Sequence, residues 1–357
     1  MKAAIFIITF LGLMFKVYFL SSQIIQSTKF SKGSISDGQK IMAAYLLPVE
    51  QSFNAINRTG LLYAESPDKN KKTSFAIFID MMAVITPNSD KTYDVNDLQL
   101  TEFKPSDPNN TVAQTFAGSE QTIQLESKST YKVPSTSFPF YTTKPILTFN
   151  TPKGIRSTIP FAIIGFSFNT PSVSVAFRGL PPLSLPGTDG KVSQLGAVAH
   201  TKLNNAIPFL STIPFDIILS GGFQYLQLNL NPNLKPDNST DEDYNNQKFY
   251  IHSISVPLQF ILSKTIKNRF NVFGGAGYNF ANSSTGLVGT YPLYKSDPTD
   301  SYSITIDKIK DPIKYNRDNS ALFLSLGLNY SFKWISFGGE FIWAKYKSLN
   351  LRMNVFL

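Results

Sequence analysis

Several stretches of this chain place apolar side chains at every second position for nine residues or more, the spacing of a β-strand with two chemically different faces. From Ala321 to Phe332 one face carries Leu322, Leu324, Leu326, Leu328, Tyr330 and Phe332, and the other carries Phe323, Ser325, Gly327, Asn329 and Ser331. The pattern recurs over 335–343, 349–357, 254–262, 270–280, 215–225 and 75–85. A soluble sandwich alternates too, so three further features decide. The runs have the length that a tilted strand needs to cross a bilayer, about 9–11 residues, rather than the five or six usual in ordinary sheets. The non-apolar face is Ser, Gly and Asn rather than Lys and Glu, as a lumen wall would be. Aromatic residues gather at run ends, with Tyr330, Phe332 and Trp334 at one turn and Trp343 and Tyr346 at the next, as in the girdles that flank a membrane band. The expected fold is all-β, a transmembrane antiparallel β-barrel of about 12–14 strands with a short N-terminal helical or plug segment.

Connection lengths agree with this. Taking the C-terminus as periplasmic, the links near 331–334, 264–269 and 205–213 fall inside and are short to medium. Those near 179–190, 231–248 and 283–319 fall outside and are mostly long, rich in Pro, Asp and Lys; the last hairpin closes near 345–348. Residues 87–157 are punctuated by Pro, Asn and Asp, with polar runs near 96–104 and 120–133; they read as an outer loop with its own hairpin or as strands lining a wide lumen.

The first residues have a basic start at Lys2, an apolar run and a small-residue exit at Ser21-Ser22, so 1–22 reads as a signal peptide, with an uncleaved anchor as the weaker choice because Lys16 interrupts the run. Residues 23–50 read as an N-terminal segment, periplasmic or folded into the barrel as a plug, in which Asp37 caps a short helix. The barrel is assigned to 51–357, and the location to the cell outer membrane.

Composition removes several function classes. With no Cys there is no disulfide scaffold, thiolate metal site or thiol nucleophile. The only imidazoles are His200, without a recognisable partner, and His252, whose neighbour Ser253 points to the opposite face of a strand. The run Gly274-Gly275-Ala276-Gly277 lies inside a strand and lacks the helix and acidic residue of a dinucleotide site. The acidic cluster at Asp241-Glu242-Asp243 reads as a solvated loop. No enzymatic activity, metal or cofactor is expected. The net charge of +9 is spread over loops, without a basic–aromatic stripe, and fits lipid headgroups better than nucleic acid. Expected partners are outer-membrane lipids and lipopolysaccharide, the barrel-assembly machinery during insertion, and an unnamed small-molecule solute.

The lumen-facing candidates are Asp80, Gln259, Glu340 and Arg352. A charge on the lipid face costs a few kcal/mol at mid-membrane, so each should point inward. A final turn centred near residue 346 would set Glu340 opposite Arg352 as a cross-strand ion pair.

The terminal run at 349, 351, 353, 355 and 357 resembles the closing-strand signal read by the barrel-assembly machinery, although Leu357 rather than Phe356 is last. The segments Ile254–Phe260 and Phe273–Tyr278 resemble hairpins of Bacteroidota outer-membrane barrels. Tyr45–Pro48, Asn57–Ala64, Val84–Pro87 and Leu183–Gly187 look like a barrel family of that phylum with no established activity. A segment ahead of the barrel is also similar to fatty-acid channel barrels. The resemblance implies passage or uptake of small solutes, hydrophobic ones included; the alternative is a non-conducting barrel that scaffolds or binds a surface or secretion partner. An open Ser/Gly/Asn-lined bore would favour the first, and a bore filled by Phe78, Met82 and Phe323 the second.

Overall fold

The computed structural model describes residues 22–61, 73–135, 141–155, 159–185, 189–237, 239–266 and 269–357. The signal peptide read at 1–22 therefore lies almost wholly outside the described residues. Ten long strands form a closed antiparallel barrel: β1 (Ser74–Ile85), β2 (Ile159–Asn169), β3 (Val173–Ser184), β4 (Lys191–Lys202), β5 (Asp216–Leu230), β6 (Lys248–Ile266), β7 (Phe270–Val288), β8 (Ala321–Phe332), β9 (Ile335–Trp343) and β10 (Lys347–Phe356). Each pairs with its sequence neighbour, and β1 pairs with β10, from Ala76 opposite Phe356 to Ile85 opposite Lys347, which removes both sheet edges. The short strand Ile313–Asp318 continues the line of β8 higher up β7.

The alternation read in the sequence is the inside and outside of this wall. Leu324, Phe337, Leu351, Phe260, Phe223 and Phe166 stand exposed around the exterior, while Ser325, Ser336, Asn350, Gln259, Gln224 and Ser167 are buried within. Such a continuous apolar band is the kind of surface that outer-membrane barrels present to acyl chains. None of the described helices is long and apolar enough to cross a membrane.

The strand number is ten rather than 12–14. The described residues of 86–155 do not cross; they form strands of only three to five residues, such as Thr92–Asp94 with Val112–Gln114 and Phe103–Pro105 with Gln124–Ser127. Their frequent Pro, Asn and Asp leave no run long enough to span. These residues form a cap over one barrel end with a small core of Val95, Phe103, Ala113, Ile123 and Leu125. By strand direction, the described residues of the links after β1, β3, β5, β7 and β9 lie at that end, and those of the links after β2, β4, β6 and β8 at the other.

A single helix, α1 (Ile35–Asn57), enters from the cap end and fills the bore, continuing past residue 50, where the barrel was expected to begin. Its N-cap is Ser34, whose hydroxyl accepts from the Asp37 N–H, so Asp37 is not the cap. The Asp37 carboxylate instead accepts from the backbone of Thr101, Glu102 and Phe103 at 3.0, 2.7 and 3.0 Å, tying the helix to the cap. Carboxylates in a first helical turn are favoured by the helix dipole. Replacing Asp37 with Ala is expected to loosen the cap while leaving the barrel closed. Proteolysis should then cut within 86–158 faster, with no change in heat-modifiable gel mobility.

The cap is fastened a second time. The Asp90 carboxylate accepts from the Tyr346 hydroxyl at 2.8 Å and pairs with Lys345 at 2.9 Å, so Tyr346 is a buried anchor rather than a girdle residue. Burial acts against the Asp90 charge, but hydrogen bonds from Lys345, Tyr346 and Ser89 outweigh it and hold its pKa below the usual carboxylate value. A carboxylate lowered on folding strengthens the anchor above its unfolded pKa of about 3.9 and loses that contribution as pH falls through its own lowered value. Cap protection should accordingly be flat from neutral pH to about 5 and fall below about 4.

Candidate functional site in the barrel lumen

Between residues 42 and 53 one face of α1 is an apolar plug. Met42, Tyr45, Leu46, Val49 and Phe53 pack against wall residues that include Leu226, Leu228, Phe249, Ile251 and Leu287. The lower half becomes polar because the inward faces of the strands are Ser, Asn and Gln there. Asn54 donates to Ser283 at 2.9 Å and accepts from Ser253 at 2.8 Å; Asn57 donates to Ser253 at 3.1 Å; Thr59 and Ser348 share a hydrogen bond of 2.7 Å. Glu50, wholly buried on the helix, accepts from Thr285 and Tyr315 at 2.8 Å each and pairs with Arg317 at 2.7 Å. Part of the small polar inward face is thus bonded to a protein segment.

The end of the helix is held most tightly. Its last carbonyls have no intrahelical donor and carry the negative end of the dipole. Arg178, from β3, donates to the Asn57 carbonyl at 2.9 Å, to Thr59 at 2.6 Å and to Gly60 at 3.3 Å, while its Nε binds Gln224 at 2.9 Å. Arg58 reaches outward to the Tyr346 carbonyl at 2.7 Å. Arg352, from β10, donates to the Gly60 carbonyl at 2.8 Å and makes a two-pronged pair with Asp80 at 2.6 Å for each prong, its guanidinium lying 4.7 Å from the centre of the Phe78 ring. Glu340 accepts from the Gly60 N–H at 2.7 Å. Gly60 has φ of +70°, and a Cβ there would come within 2.8 Å of Asn350 and 3.0 Å of Arg352, so both conformation and space demand glycine.

Three of the four lumen candidates, Asp80, Glu340 and Arg352, therefore meet at Gly60. Gln259 stands apart, hydrogen-bonded to Ser325. The Glu340–Arg352 pair does not form. The last hairpin is centred on residue 345, so Glu340 faces Asn350 and Arg352 faces Gly338, and the partner of Arg352 comes from β1 on its other side. Arg178, Glu50 and Arg58 were not singled out in the sequence. Arg178 carried the same signal as Arg352, a lone charge at an inward position of an alternating run (Val173, Val175 and Phe177 on the opposite face), but β3 lies beside the proline-rich link and was not read as a strand.

Below the latch, Leu61 packs with Phe78, Ala176, Val198, Phe323 and Ile342. Phe78, Met82 and Phe323 are 1%, 3% and 2% exposed, so the bore is filled both by the helix and by its own wall. His200 is buried on the inward face of β4, and His252 lies outward between Tyr225 and Tyr250. Among the described residues no group of three or more His, Cys, Asp or Glu is placed to hold a metal ion.

Solved structures similar to this chain are themselves outer-membrane barrels. The translocator domain of the autotransporter NalP from Neisseria meningitidis is 9% identical, with 88% of this chain and 96% of that one covered, at a TM-score of 0.29. The outer-membrane protease OmpT from Escherichia coli is 11% identical, with 83% and 97% covered, at 0.28. The barrel is established by its own strand ladder, not by these distant likenesses. No curated protein matches the sequence. Residues 1–356 match one family, so the chain belongs to the family described as "Family of unknown function (DUF6588)".

Proposed function

We propose that this protein is a non-conducting outer-membrane barrel that holds a folded cap at the cell surface as a binding platform for a partner. The carrying observation is the occupied bore: α1 packs against the wall, the Phe78, Met82 and Phe323 side chains are buried in it, and inward groups such as Ser253 and Ser283 are bonded to the helix. In this reading the signal peptide directs export, the assembly machinery inserts the barrel, the short connections face the periplasm, and lipid and lipopolysaccharide surround the apolar band. The working surface is built from 86–158, 231–247 and 289–320, all at one end. Purified protein in a planar bilayer should show no single-channel steps and add no solute flux to liposomes. Steady conductance from the unaltered protein would overturn the platform reading.

Uptake of hydrophobic solutes keeps one observation in its favour. The apolar core around α1 extends to the wall at Ile163, with Phe161 and Leu180 packed against it, so the lumen meets the outer apolar band through apolar side chains there. On that reading liposomes would take up an alkane-like solute while remaining silent electrically.

A further inference from the structure

The wall is not sealed uniformly. The ladder between β2 and β3 runs from Asn169 opposite Ser174 to Ile164 opposite Gly179 and stops there, although β2 stays paired to β1 as far as Ile159, and β3 to β4 as far as Ser184. The cap-side half of this one seam therefore has no ladder pair among the described residues. The sequence explains it. Pro160, Pro181 and Pro182 have no N–H to donate, and β3 is irregular between Leu180 and Leu183, which turns it toward β4.

A groove of about 740 Å³ lies along this seam on the exterior. That volume falls within the roughly 300–1,000 Å³ of sites that bury small ligands. Its floor is Gly165 and Gly179, and its sides are Ile164, Phe166, Phe177 and Leu195. At its cap-side rim Tyr225 donates to Gln227 at 3.1 Å and Gln227 donates to Ser193 at 2.9 Å, which makes a small polar patch on an otherwise apolar outer face. The occupant must suit both parts. Because the groove lies within the exposed apolar band, what covers it is an acyl chain, and the polar rim sits where that chain's headgroup would begin.

We propose that the β2–β3 seam is a lipid-binding site that holds one acyl chain of a bilayer lipid, with its polar head at Ser193, Tyr225 and Gln227. The site opens on the exterior face, with the inward residues Arg178 and Gln194 also touching it, and it rests on the reading that this face lies in a membrane.

The chain has no cysteine, so single thiols can be introduced and labelled with bimane. Leu183→Cys places the label beside the groove and leaves the prolines intact; Leu322→Cys places it at the cap-side end of β8, on lipid-facing wall away from the seam. The probe is phosphatidylcholine carrying a doxyl group midway along one chain, mixed at rising mole fraction into phosphatidylcholine vesicles. Quenching at position 183 should saturate at a mole fraction several-fold lower than at 322, where it should follow the bulk lipid. Two fillings should return position 183 to the bulk curve. Leu195→Trp uses a side chain already two-thirds exposed, and Gly179→Leu needs the strand to ease where its Cβ would lie 3.0 Å from the Gln194 carbonyl. Coincident curves at 183 and 322 in the unfilled protein would overturn the site, as would selective quenching that survives both fillings. Selective quenching by free doxyl-stearate but not by the labelled phosphatidylcholine would also overturn it, because the occupant would then be a soluble fatty acid rather than a bilayer lipid.

Discussion

On the platform reading, Arg178→Ala should turn a silent barrel into one that shows discrete conductance steps. The substitution removes three donors from the carbonyls of Asn57, Thr59 and Gly60 in a buried site. Hydrogen bonds from a charged donor contribute about 1.5–3 kcal/mol each, and the carbonyls left behind carry their own desolvation cost. Water entering to satisfy them would have to come between the helix end and the wall, and this is the step that opens a path. Arg178→Lys keeps the charge but only one point of contact, so its steps should be rarer than those of the alanine variant. Planar-bilayer recording checks the expectation, with heat-modifiable mobility as the control for folding. A folded alanine variant that stays silent would show that the apolar face of α1 closes the bore without the latch.

Asp80→Ala should be the most destabilising single change in the wall. Arg352 is 5% exposed and Asp80 wholly buried, and removing one partner of a buried pair costs about 3–5 kcal/mol because the guanidinium loses its two-pronged counter-charge. The loss falls on the strand pair that closes the barrel, so the urea midpoint of the gel-shift transition should drop markedly. Glu340→Gln keeps an oxygen for the Gly60 N–H and should cost under about 1.5 kcal/mol. Equal effects of the two substitutions would contradict the Asp80 pairing and restore Glu340 as the partner of Arg352.

Much of the wall was legible in the sequence because lipid imposes a rule that each strand must obey alone. Leu322 to Phe332 or Leu349 to Leu357 can be read without knowing any neighbour. The strands β2–β4 were harder to read because prolines and glycines interrupt them, and the same residues open the seam. Asp80, Glu340 and Arg352 were assigned inward from parity, since a charge in such a run has only one tolerable side, and all three are buried. What parity cannot supply is a partner. Arg352 meets Asp80 across 272 positions, through the closure of the barrel, and Glu50 meets Arg317 only because a helix threads the lumen. A turn centre misplaced by one residue was enough to pair Arg352 with the wrong strand. The cap was ambiguous for a related reason, as runs of three to five residues carry no periodicity long enough to read.

The Arg352 contacts have a consequence for the order of assembly. One guanidinium joins the last strand to the first through Asp80 and, from the same side chain, grips Gly60 at the foot of the helix. The helix precedes every strand in the chain, yet its grip is completed by the strand made last. Sealing the ring therefore also adds one more grip on Gly60, and a nascent barrel that lacks β10 is unclosed and holds Gly60 only through Arg178 and Glu340.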